Sequence, residues 1–92
     1  MPVRVTGTLT ATGTDIETAR RLIPDHVALS RAEAGCLRFN LTEAPDQPGL
    51  WRLDELFADR AAFEAHQRRT RASLWGRKSA GMVRDFTVTT ED

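Results

Sequence analysis

The chain has 92 residues, and its 13 basic and 13 acidic side chains cancel to a formal net charge of zero. This length is that of one domain, residues 1–92, and the balanced charge argues against nucleic acid or a membrane surface as a partner. A single cysteine cannot form an internal disulfide. No apolar run approaches membrane-spanning length, and the first residues lack the apolar core of a signal peptide, so we expect a cytoplasmic protein.

The N-terminal part of the chain predicts a strand followed by a helix. Val3, Val5 and Leu9 alternate with polar residues, which is the pattern of a strand with one buried face. Thr14 and Glu17 then have the spacing of a capping box, in which each side chain binds the backbone N–H of the other residue. A helix is therefore expected to begin at this point.

Two residues that disfavour helices are expected to shape this first helix. Pro24 lacks a backbone donor and predicts a kink or a break. His26 follows the proline and is expected at the surface or at an edge. Gly35 is expected to close the helix before the next strand.

Two strands joined by a loop are predicted next. Residues 36–43 alternate, with Leu37, Phe39 and Leu41 on one face. The six residues that follow, APDQPG, all disfavour regular structure and predict a loop. The eight residues after that loop alternate again, with one face formed by Trp51, Leu53, Glu55 and Phe57.

The last third of the chain predicts a helix, a short second helical segment and a final strand. Asp59 is placed to cap a helix whose apolar stripe contains Ala62, Phe63 and His66. Trp75 falls in the short helical segment. The final strand is predicted to have on one face Met82, Arg84, Phe86 and Val88.

The element order β-α-β-β-α-β is that of the ferredoxin-like α+β fold, a four-stranded antiparallel sheet with both main helices on one face. The opposite face is predicted to carry mostly polar side chains, namely Thr6, Thr8, Arg38, Asn40, Arg52, Asp54, Asp85 and Thr87. That face is either solvated or packed on a second copy in a closed barrel. We favour the homodimer, because a lone domain of this size buries only roughly 60–65% of its unfolded surface. In addition, three apolar residues, Leu50, Leu56 and Val83, are predicted to lie on the same bare face.

Several motifs resemble a known family. They are EAGCLRF, a Trp-containing strand that ends in Glu-Leu-Phe, then DRAAFEAHQ, and Arg-Asp-Phe in the last strand. The chain is similar, roughly from Val3 to Val88, to the antibiotic biosynthesis monooxygenase family, which includes small quinol monooxygenases. The resemblance implies a dimeric α+β barrel and an oxygenase that needs no cofactor. In that chemistry an electron-rich phenol is deprotonated, its anion passes an electron to dioxygen, and the radicals recombine to give a quinone.

The resemblance also implies a pocket between the sheet and the helices, in which a base and a carboxylate act. His66 is the candidate general base, since the pKa of histidine lies near working pH. Glu55 is expected to receive the imidazole N–H and fix its tautomer. Two alternatives stay open: His66 is a core histidine with a satisfied hydrogen bond, or Glu55 forms an ion pair with Arg84 on the same sheet face.

The candidate substrate-binding residues are Trp51, Phe63, Trp75 and Arg84. The aromatic residues in this set have a second interpretation as core residues. The expected partners are a small aromatic substrate and dioxygen, without a metal, because two histidines and one cysteine show no zinc-ligand spacing. The sequence has no tyrosine, whereas the polyketide oxygenases of the family use one, so the quinol type is closer. The alternative function is a non-catalytic dimeric barrel that binds a small aromatic or a partner enzyme.

Overall fold

Four strands and three helices make up the computed structural model, which describes residues 1–90. In chain order they are β1 (Val3–Thr10), α1 (Asp15–Arg31), β2 (Cys36–Glu43), β3 (Leu50–Phe57), α2 (Arg60–Ala72), α3 (Leu74–Lys78) and β4 (Val83–Thr90). None of the helices in this part of the chain is both long enough and apolar enough to cross a bilayer.

The strands form one antiparallel sheet in the order β2-β3-β1-β4. Helix α1 packs against β2, and α2 packs against β3. The face under the helices is apolar: Val3, Val5 and Leu9 of β1 are buried there beside alternate residues of β3. The predicted ferredoxin-like α+β fold is therefore confirmed.

The opposite face of the sheet is polar, as the alternation predicted. The strand register places Thr6 opposite Asp54 and Thr8 opposite Arg52. The Asp54 carboxylate lies 3.2 Å from Arg4 Nε and 3.2 Å from Arg38 Nε. These side chains are partly exposed, so each pair contributes at most about 1 kcal/mol to stability.

One predicted orientation in β2 is wrong. A β-bulge between Cys36 and Arg38 shifts the register against β3, so Leu37 does not share the buried face of Phe39. Leu37 is 59% exposed, whereas Phe39 is 2% exposed. An extra residue in one strand reverses the alternation locally, which the sequence pattern alone does not reveal.

The predicted ends of α1 also need correction. Thr14 is the N-cap residue, but its side chain makes no capping hydrogen bond, so the capping box does not form. The first turn uses backbone contacts instead, with Asp15 N–H donating to the carbonyl oxygen of Thr12 at 3.1 Å. Pro24 lies inside α1 and does not break it, and the helix ends at Arg31 before Gly35 is reached.

Gly35 has a packing role in the turn between α1 and β2. A Cβ atom added to Gly35 would lie 2.2 Å from the Cβ of Ala62 on α2. The absence of a side chain lets α2 approach this turn closely. Asp59 caps α2 as predicted, since its carboxylate accepts a 2.8 Å hydrogen bond from Ala62 N–H.

The edge strand β4 is exposed along its whole length. Phe86 lies opposite Gly7, and Val88 lies opposite Val5, so both belong to the helix-facing side of the sheet. They are nevertheless 39% and 48% exposed. The helices therefore leave an apolar strip uncovered at this edge.

Candidate active site

His66 is buried between α2 and the sheet. Its side chain is 4% exposed, and its ring centroid lies 4.9 Å from that of Phe57 and 5.3 Å from that of Phe39. The predicted helical stripe thus points toward β2 and β3. Two aromatic rings that cannot accept a conventional hydrogen bond surround the imidazole, so its polar contacts must come from elsewhere.

The turn after α1 supplies the partner of the imidazole. His66 Nδ1 lies 2.9 Å from Oε1 of Glu33. The other oxygen of Glu33 accepts a hydrogen bond from Arg69 Nε, and Arg69 Nη2 donates to Ser30 Oγ at 2.8 Å. The Glu33 carboxylate is therefore held by two side chains of α2, and Arg69 is itself anchored to Ser30 of α1. These contacts fix the direction in which Glu33 meets His66.

This contact selects one tautomer of the imidazole. A carboxylate paired with an arginine is an acceptor, so His66 Nδ1 carries the proton and Nε2 retains its lone pair. In this tautomer Nε2 accepts a long hydrogen bond from the Thr70 hydroxyl, with 3.4 Å between His66 Nε2 and Thr70 Oγ1, and Nε2 lies 3.8 Å from Glu55 Oε1. The second distance is too long for a hydrogen bond. Glu33, and not Glu55, therefore occupies the tautomer-fixing position that we expected for Glu55.

The electrostatic surroundings keep the imidazole neutral. Burial lowers the pKa of His66 below its ordinary value, and the charge and hydrogen bond of Glu33 only partly oppose this effect. A neutral imidazole with an unprotonated Nε2 is the form that accepts a proton. The arrangement is that of a general base with an orienting carboxylate.

Glu55 faces the basic nitrogen from β3. The residue is 8% exposed. Burial raises the pKa of Glu55 to about 8, and the negative charges of Glu33 and Asp54 add to the shift. Near neutral pH this side chain is a carboxylic acid, which can donate a hydrogen bond.

The buried Glu55 gives a prediction for the pH dependence of stability. The folded chain raises its pKa from 4.5 to about 8, so the stability due to the neutral form is complete below pH 4.5 and is lost as the pH rises toward 8. Relative to Glu55→Gln, the free energy of unfolding should fall by up to about 1.4 kcal/mol per pH unit in this window. Urea unfolding of both proteins from pH 4.5 to 8 measures the difference, and two parallel curves would contradict the assignment of a neutral acid.

Arg84 does not pair with Glu55. Its guanidinium donates to the carbonyl oxygen of Ser79 at 2.7 Å and to Ser79 Oγ at 2.6 Å. The register explains this, because Arg84 lies opposite Leu9, whereas Glu55 lies opposite Val5, four residues earlier on β1. Glu55 therefore forms a hydrogen bond with neither Arg84 nor His66. Of these two candidate partners His66 is the nearer, with its Nε2 3.8 Å from Glu55 Oε1.

The three aromatic candidates occupy different environments. Trp51 and Trp75 are 3% and 6% exposed and belong to one core cluster with Leu9 and Met82. Phe63 is half-buried and packs on Phe57, whose ring also contacts His66. Phe63 is therefore adjacent to the site, while the two tryptophans form part of the core.

An open groove gives access to His66. It has a volume of about 620 Å³, and its lining includes Glu33, Gly35, Ala62, Ala65, His66 and Arg69. The expected residues Trp51, Glu55, Phe63, Trp75 and Arg84 do not line it. The groove lies where α2 meets the turn at Gly35. The sequence pattern did not predict this surface, which leads to His66.

His26 is a buried neighbour of His66, contrary to the expectation of a surface position. It is 5% exposed, and its ring centroid lies 5.7 Å from that of His66. Burial lowers the pKa of His26 to about 3. The signal was present in the sequence, since His26 continues the helical spacing of Ala19 and Ile23. The expected interruption at Pro24 concealed it.

The fold and this histidine–carboxylate pair define a small ferredoxin-like protein with a neutral base between its sheet and its helices. Residues 2–75 match the family model described as antibiotic biosynthesis monooxygenase, and the chain belongs to that family. The predicted resemblance is confirmed. Membership supports a general monooxygenase-like role as an oxidoreductase.

Solved structures with the same fold come from several bacteria. Rv0793 from Mycobacterium tuberculosis is 26% identical, with 99% of this chain and 95% of that chain covered and a TM-score of 0.71. PA3566 from Pseudomonas aeruginosa is 29% identical, with 96% and 89% covered and a TM-score of 0.72. A Deinococcus radiodurans protein described as a candidate antibiotic biosynthesis monooxygenase is 21% identical, with 100% and 93% covered and a TM-score of 0.75, which shows the fold alone. The sequence has no significant match among curated proteins.

Proposed function

We propose that this protein is a cofactor-independent monooxygenase that oxidises a quinol or a related phenol with dioxygen. The observation that carries the proposal is the neutral His66, whose Nδ1 is bound to Glu33 and whose unprotonated Nε2 accepts only a long hydrogen bond from Thr70, which a substrate hydroxyl would replace. The family assignment supports the same chemistry. The groove of about 620 Å³ beside His66 exceeds the volume of roughly 300 Å³ at the lower end of small-molecule sites.

The proposed reaction begins with proton transfer from the substrate hydroxyl to His66 Nε2. The phenolate then passes one electron to dioxygen, and the resulting superoxide combines with a ring carbon of the phenoxyl radical to form a carbon–oxygen bond. The peroxide anion takes the proton back from His66. Loss of water from this peroxide leaves a carbonyl group. A hydroquinone and dioxygen thus give a hydroxyquinone and water, with one oxygen atom in each product.

Two other side chains have proposed roles in this reaction. Arg69 lines the groove and bears a positive charge that favours the phenolate. Glu55 does not line the groove, but it is protonated near neutral pH and lies 3.8 Å from His66 Nε2, so its proposed role is to position the imidazole without placing a second negative charge beside it. Arg69 would stabilise the negative charge of the phenolate.

Isotope incorporation tests the proposed reaction. With ¹⁸O₂ and a panel of hydroquinones, we expect oxygen uptake and one ¹⁸O atom in each quinone product, measured by mass spectrometry. Stoichiometric hydrogen peroxide without label in the quinone would indicate an oxidase and contradict the proposal. No uptake above buffer with any quinol would favour the non-catalytic barrel, which the core positions of Trp51 and Trp75 also support.

We also propose that the protein is a homodimer. The apolar strip on β4, with Phe86 and Val88, and the polar face with its Asp54 ion pairs are the surfaces that a second copy would cover. Light scattering at micromolar concentration should give about twice the chain mass of 10.3 kDa. A clean monomer at these concentrations would contradict this assembly.

A further inference from the structure

A ring of three hydrogen bonds holds Glu33 beside His66. The Glu33 N–H donates to the carbonyl oxygen of Ser30 at 3.1 Å. Arg69 Nη2 donates to Ser30 Oγ at 2.8 Å, and Arg69 Nε donates to Glu33 Oε2. The ring fixes Glu33 at its backbone and at its carboxylate, and it leaves the second oxygen, Oε1, on His66 Nδ1. Ser30 takes part in two of the three bonds.

The hydroxyl group of Ser30 has no evident role in the helix itself. Ser30 lies in the last turn of α1 and is 0% exposed. Serine is a poorer helix former than alanine, and a hydroxyl group is costly to bury unless it has a hydrogen-bond partner. Here the hydroxyl oxygen accepts the hydrogen bond from Arg69. The contact with Arg69 therefore accounts for a serine at this position.

Arg69 needs two anchors to stay on Glu33. Its side chain is 29% exposed and extends from α2 to the end of α1. A long side chain loses rotamer freedom when it is held in one geometry, and water competes for a partly exposed guanidinium. The planar fork of arginine binds Ser30 and Glu33 through two different nitrogens, which fixes the plane of the guanidinium. Without the Ser30 contact, Arg69 can turn into solvent.

We propose that Ser30 is a positioning residue for the candidate base. Its hydroxyl oxygen holds Arg69, and Arg69 holds one oxygen of Glu33. The other oxygen of Glu33 selects the His66 tautomer with the proton on Nδ1. The consequence for catalysis rests on the proposed function of His66, whereas the effect on the tautomer does not. A side chain of α1 thus controls which nitrogen of a residue on α2 accepts a proton.

The tautomer of His66 tests this role without requiring turnover. The chain has two histidines, and His66→Ala assigns the ¹⁵N signals of this ring. In Ser30→Ala we expect the population of the Nε2–H form at neutral pH to rise about tenfold, because the Glu33 carboxylate is no longer held against Nδ1. The averaged ¹⁵N shifts of the two ring nitrogens should therefore move toward each other.

Ser79 provides a matched control for this substitution. It is also 0% exposed, and its Oγ accepts a hydrogen bond from an arginine as well, at 2.6 Å from Arg84 Nη2. Ser79→Ala removes the same kind of contact at a site that, within residues 1–90, has no hydrogen bond to Arg69 or Glu33. We expect the His66 spectrum of this variant to match that of the native protein. An equal change in both serine variants would indicate general loosening of the core and contradict the proposed role.

A double-mutant cycle tests whether Ser30 acts through Arg69. Arg69→Lys retains the charge but loses the fork that binds two partners, so it should shift the tautomer as Ser30→Ala does, and Ser30→Ala should add nothing in that background. Additive effects would overturn the inference, as would an unchanged His66 spectrum in either single variant, so the test does not depend on the folding of one variant. A protein that oxidises no quinol would contradict the proposed function alone.

Discussion

Replacing His66 by alanine is expected to lower the rate of oxygen uptake with a good quinol by about 100- to 10,000-fold, the usual effect of removing a positioned base. The reason is geometric: His66 Nδ1 is bound to Glu33, so Nε2 is the unprotonated nitrogen, which accepts only a long hydrogen bond of 3.4 Å from the Thr70 hydroxyl. The measurement is initial oxygen uptake at saturating quinol, compared with the native protein at the same pH.

A second substitution separates the basic nitrogen from the packing of the ring. His66→Asn retains an N–H group that can donate to Glu33 but has no nitrogen that accepts a proton near neutral pH. It should lose as much activity as His66→Ala while unfolding closer to the native temperature. An unchanged rate in either variant would remove His66 from the reaction, and a loss of stability at full activity would mark it as a core residue.

Replacing Glu33 by glutamine is expected to lower the rate by about 10- to 100-fold, the usual effect of losing an outer partner of a functional histidine. A glutamine amide can accept from or donate to Nδ1, so it no longer selects the tautomer with a free Nε2. The charge and hydrogen bond of Glu33 also raise the pKa of His66 against the effect of burial. Their removal should therefore lower that pKa further.

The pH–rate profile tests the role of Glu33 beyond simple stability. With the pKa of His66 lowered in Glu33→Gln, the acid limb of kcat/KM should move to lower pH, although the maximal rate falls. Glu43→Gln is the matched control, because Glu43 binds Arg20 and the backbone N–H of Gly49 and has no contact with His66. An identical acid limb in the native protein and in Glu33→Gln would contradict an orienting role for this carboxylate.

The strands and helices were predictable from local patterns. Alternation located all four strands, and helical spacing from Ala62 placed His66 on the sheet-facing side of α2. The errors occurred where a single residue changes the pattern. A bulge at Leu37 reverses its direction, and Pro24 remains inside a continuous helix. Because that helix continues, His26 is buried.

The partners of the site residues were not predictable in the same way. Glu33 lies in a turn outside any periodic element, and it contacts His66 where α2 packs closely against that turn, an approach that Gly35 permits. The separation of Arg84 from Glu55 depends on the register of three strands. Contacts of this kind depend on tertiary packing, which local sequence patterns do not specify.

The ring nitrogens of His66 provide the most direct test of the account. A ¹⁵N NMR spectrum of histidine-labelled protein at neutral pH distinguishes a protonated ring nitrogen from one with a lone pair, and His66→Ala assigns the signal. We predict a neutral His66 with the proton on Nδ1 and the lone pair on Nε2, as the contact with Glu33 requires. A proton on Nε2 alone, or a doubly protonated ring at neutral pH, would contradict the proposed general base.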